Sequence, residues 1–83
     1  MQLLITANNE ILNTSQVISF TAKKAPGENY YQMMVQTSTF DYLLHVRRFE
    51  SESDAKSCLL NNVLQYTTNN SESKVIDFRK MKV

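Results

Sequence analysis

Apolar and polar residues alternate with a period of two over several short stretches and with a helical period over one. Gln2 to Thr6, with Leu3, Leu4 and Ile5, and Gln16 to Ala22, with Val17, Ile18 and Phe20, predict strands. Between them Ala7-Asn8-Asn9-Glu10 is turn chemistry, because asparagine tolerates positive φ, and Glu10 to Asn13 can return as a short extra strand. Tyr30 to Thr37 alternates cleanly, with Tyr31, Met33 and Val35 on one face and Tyr30, Gln32, Met34 and Gln36 on the other. The strand after Asp41 puts Tyr42, Leu44 and Val46 on the inner face and Leu43, His45, Arg47 and Phe49 on the outer one.

The remaining elements follow from local chemistry. Pro26-Gly27, the only Pro and the only Gly, predicts a type II turn, with Pro26 presetting φ and Gly27 taking the positive value. Ser51-x-x-Asp54 is similar to a capping box with Asp in place of Glu, and it opens a helix over about residues 52–66. Ala55, Leu59, Val63 and Tyr66 centre its apolar face, and Leu60 and Leu64 widen it beyond what one sheet contact requires. Thr67 to Ser73 ends the helix, and a last strand, Lys74 to Lys82, alternates Ile76, Phe78 and Lys80 against Val75, Asp77, Arg79 and Met81. The expected fold is therefore α+β: one domain over 1–83, a small antiparallel sheet of four to five strands with one helix on one face, in the order β-β-β-β-α-β.

Composition, length and charge refine this picture. With 42% hydrophobic and 20% charged residues the chain lies outside the regime of disorder. At 83 residues, however, its core is thin enough that self-association would add useful stability. The net charge of +1 provides no general field for nucleic acid or anionic membranes, so such a partner would need a local patch. The first ten residues lack a basic leader and a long apolar run, so a cytoplasmic protein without a membrane partner is expected. In composition and size the chain resembles the small Asn-, Lys- and Ile-flavoured accessory proteins of low-GC Gram-positive bacteria and their phages.

Candidate chemistry is sparse. His45 is the only histidine and Cys58 the only cysteine, with no His-x-x-x-His or Cys-x-x-Cys spacing, so no metal, cofactor or catalytic site is expected. His45 reads as a half-exposed sheet residue and Cys58 as a small packing residue. Glu50, Glu52 and Asp54 read mainly as helix-capping charges. The leading expectation is a non-catalytic interaction or regulatory accessory module in a phage or mobile-element setting. It would form a homodimer or meet another protein through surplus apolar surface: Leu60, Leu64, Leu43, Phe49, Met34 and Tyr30. The alternative is nucleic-acid binding on a basic sheet face carrying Arg47, Arg48, Arg79, Lys80 and Lys82.

Overall fold

The computed structural model describes residues 1–83. Its strands are β1 (Leu3–Ile5), β2 (Ile11–Asn13), β3 (Val17–Lys24), β4 (Tyr31–Thr37), β5 (Asp41–Phe49) and β6 (Val75–Asp77). Between β5 and β6 runs a continuous helix made of α1 (Glu52–Cys58), a π-turn (Leu59–Val63) and α2 (Leu64–Asn69). The α+β class stands, but the single antiparallel sheet does not. There are two three-stranded sheets, ordered β2-β1-β6 and β3-β4-β5, and β6 joins β1 in parallel.

Local turn chemistry behaves as expected. Asn9 adopts φ 63° in the first hairpin, which the Thr6 amide closes on the Glu10 carbonyl. Gly27 adopts φ 73°, and the Glu28 amide donates to the Ala25 carbonyl at 3.1 Å, completing the type II turn. Ser51 caps α1 by accepting from the Asp54 amide at 3.1 Å, but the Asp54 carboxylate does not reach back, so only half of the box forms. A complete box occurs instead at Asn13 and Gln16, where a 3₁₀ turn leads into β3. The helix runs past residue 66 to Asn69, since the Thr67 hydroxyl bonds back to the Val63 and Leu64 carbonyls rather than breaking the helix.

The β4–β5 register explains the largest departures. Gln32 pairs with Arg48 but Met34 pairs with Leu43, so β5 uses five residues where β4 uses two. The excess of three is odd, and an odd excess exchanges the two faces. Tyr42 therefore faces inward as expected, whereas Phe49, expected on the outer face, is buried opposite Tyr31. Val46, expected inside, is 69% exposed within the bulged stretch.

That bulge also turns His45 into the core. Its Nδ1 accepts from the Arg47 amide at 3.1 Å, which assigns the ring proton to Nε2, and Nε2 donates to the Met81 carbonyl at 2.9 Å. His45 is thus a buried clamp for the C-terminal segment, not a half-exposed residue. The final strand is shorter than expected: after Asp77 the chain enters a 3₁₀ turn, Phe78–Lys80, capped by the Asp77 carboxylate on the Arg79 amide.

The helix lies across the inner face of β3-β4-β5, while β1, β6 and the 3₁₀ turn close one end of the core. Leu4, Met33, Val35, Leu44 and Phe78 are fully buried there. Phe78 joins the layers, its ring 5.9 Å from Phe20 on β3 and 5.5 Å from Tyr66 on α2. Tyr66 in turn donates its hydroxyl to the Asp77 carbonyl at 2.6 Å. Burial, with the Asp77 charge adding to it, raises the Tyr66 phenol above its ordinary pKa.

Candidate interaction surfaces

The six apolar positions singled out above do not form one surface. Phe49 is in the core, with the Arg47 guanidinium 5.0 Å from its ring centroid. Met34 and Leu43 pair directly on the outer sheet face, as alternation implies, but both are half-buried. Lys23 on β3 reaches Asp41 on β5 as an ion pair across β4, which lays its stem over the face holding Thr21 and Met34. Tyr30 is engaged by the Arg48 guanidinium at 4.4 Å. Only Leu60 and Leu64 stand in the open, 67% and 60% exposed.

The π-turn that carries Leu60 lies alongside β3. Thr67, one turn further along the same side of the helix, shares an apolar cleft of about 240 Å³ with Val17 and Phe20. The edge itself can be read from hydrogen bonding. The Ala25 amide donates to the Tyr30 carbonyl at 3.0 Å, making these residues a hydrogen-bonded pair of the antiparallel ladder. Counting back by twos, Lys23, Thr21 and Ser19 direct their backbone groups to β4, whereas Phe20, Ala22 and Lys24 direct theirs away from it. Nothing hydrogen-bonds to that outer side.

The opposite edge of the sheet is covered in part. The Leu43 carbonyl on β5 accepts from the Ala7 amide at 3.3 Å, and the His45 clamp brings the chain at Met81 against the same strand. β3 is thus the open edge, a strand of eight residues with a bulge at Ile18 and two lysines at its far end. Strand reading located β3, but its edge position depends on sheet order, which local patterning does not carry.

The basic residues are sorted by the fold. Arg79 is committed: its Nε and Nη2 donate to the Asp77 carboxylate at 2.8 and 2.7 Å, and Nη1 donates to Asn9 at 2.7 Å. Its hydrogen bond holds the Asp77 carboxyl below the usual range, with burial opposing, and the same pairing raises the Arg79 guanidinium. No sheet face carries the other four, because Lys80 and Lys82 lie outside any strand. Instead, Arg47 and Arg48 line a groove of about 390 Å³ against α1, and Lys80 and Lys82 line one of about 340 Å³ against α2. The two grooves share Asn62. Asn61, Gln65 and Asn69, which the sequence reading passed over, line them too; their recurrence along one helical arc was the available signal.

Neither lone reactive group is placed for chemistry. Cys58 is buried, with the Asn62 amide 3.4 Å from its sulfur, and both nitrogens of His45 are occupied. No cluster of His, Cys, Asp and Glu has the spacing to hold a metal ion, and no helix is long and apolar enough to cross a membrane. No family model, curated protein or solved structure matches the chain.

Proposed function

We propose that the protein is a non-catalytic interaction module that works as a homodimer, with two β3 strands pairing edge to edge and the Leu60/Leu64 flank packing alongside. The observation that carries this reading is the unpartnered outer side of β3 beside the most exposed leucines of the helix. An open strand edge is a template for another strand, and an antiparallel pair of identical edges obeys two-fold symmetry.

Two features favour a closed dimer over open-ended assembly. Once two β3 edges meet, the combined sheet ends on both sides at β5, where the Ala7 amide and the segment at Met81 already occupy part of the edge. The Ile18 bulge also confines regular pairing to the stretch from Ser19 to Lys24, and antiparallel pairing keeps the Lys23-Lys24 pairs of the two copies apart.

Size sets the strength. Eight residues at about 3.3 Å each give an edge about 26 Å long. With a strand edge about 10 Å deep, the edges alone bury roughly 500 Å² in total, below the ~1,200 Å² of a stable interface. The leucine flank must therefore contribute, and the dimer should be a weak, reversible one. Hydrogen exchange tests the geometry: the amides of Phe20, Ala22 and Lys24 should gain protection as protein concentration rises, while exposed amides elsewhere do not change. Protection at these three amides that is independent of concentration would refute the pairing.

A further inference from the structure

We infer that the paired grooves on the other shoulder of the helix form a binding site for single-stranded nucleic acid, with Arg47, Arg48, Lys80 and Lys82 on phosphates and helix amides on base edges. The site lies away from the β3 edge and does not depend on the dimer.

The first argument is the state of the cations. The chain has three ion pairs, which engage Lys23, Lys56 and Arg79 and leave the four groove cations without a carboxylate partner. Arg47 and Arg48 are each held over an aromatic ring, Phe49 and Tyr30, and neither side chain donates a hydrogen bond. A guanidinium positioned through its face keeps its edge donors free, and a forked donor edge is what a phosphate oxygen pair accepts.

The second argument is the rest of the lining, which selects among anionic partners. Asn61, Asn62, Gln65 and Asn69 offer both donors and acceptors, and Glu50 and Asp54 offer acceptors at the Arg47/Arg48 end. Carboxylates disfavour a purely anionic ligand such as an acidic peptide or a free phosphate, but they accept hydrogen bonds from the amino groups of bases. A ligand that presents anions and base-type donors together satisfies both halves of this lining. Unpaired bases present their hydrogen-bonding edges, so single strands fit better than duplex. Asn61 and Asn62 also belong to the π-turn, a departure from regular helix that recurs at functional sites.

Four neutralised phosphates give a salt slope of about −2.8 for a single strand, so affinity should fall about fifty-fold when salt rises fourfold. The test is fluorescence anisotropy with labelled single-stranded DNA and RNA of about twelve nucleotides, which spans typical site sizes. Binding should show that slope, and Lys80→Ala with Lys82→Ala should reduce it to about −1.4. Asn62→Ala should weaken binding without changing the slope, and Lys74→Ala, outside the grooves, should leave binding as it is. Circular dichroism of each variant controls for folding. Absence of binding at low salt, equal binding to duplex, equal displacement by polyglutamate, or a slope unchanged by the double lysine variant would each overturn the assignment.

Discussion

Replacing Phe78 by Ala removes the side chain that ties the layers together. Its ring is fully buried and packs against Phe20 of β3 and Tyr66 of α2, so little can move in to fill the space. Truncations of this kind cost about 3–5 kcal/mol. A chain of 83 residues at about 0.05–0.15 kcal/mol per residue has only about 4–12 kcal/mol in total. Phe78→Ala should therefore remove a quarter to all of the stability, and Phe78→Leu should lose less because it retains part of the volume. Urea unfolding followed by far-UV circular dichroism reads this as a lower midpoint with an unchanged m-value, provided the variant still folds. A loss under about 1 kcal/mol would mean that the 3₁₀ turn is not the hub of the core.

Further outcomes follow from the same core. The lowered Asp77 carboxyl contributes stability above its ordinary value of 3.8, which is lost as pH falls through the still lower folded value. Melting temperature should therefore drop on the acid side, and Asp77→Asn should flatten that limb while lowering stability at neutral pH. The raised Tyr66 phenol works in the opposite direction: its contribution is present below the ordinary 10.0 and lost as pH climbs through the higher folded value, so Tyr66→Phe should flatten the alkaline limb. The Thr21 hydroxyl is buried without a partner, so Thr21→Val, which keeps the shape and strand preference, should stabilise by about 1 kcal/mol in the same unfolding assay.

Local chemistry was legible and long-range order was not. Pro26-Gly27, Asn9 and the Ser51 cap work through their own backbone angles or near neighbours, and alternation placed Met33, Val35 and Leu44 inside. Phe49 and Val46 went to the wrong faces because a three-residue excess in β5 leaves no mark on the period of either half. The parallel β1–β6 pair joins residues far apart in the chain, so no local pattern announces it. Asp77 with Arg79 two residues on was readable as a turn in which an Asp side chain caps the backbone, and it would have ended the last strand at its observed limit. Of the candidate contacts, Leu60 and Leu64 were visible as surplus on an amphipathic helix, but their place beside an open edge required the sheet order.

Sedimentation velocity over a wide concentration range tests the central claim most directly. The mass should rise from the 9.6 kDa chain toward twice that value and stop there, with little dependence on salt. Ala22→Pro, which removes an outward amide without touching the β4 ladder, should hold the protein at the monomer mass, as should Leu60→Glu with Leu64→Glu, with circular dichroism confirming that both fold. A monomer at every concentration, or a dimer indifferent to both variants, would contradict the pairing of β3 edges.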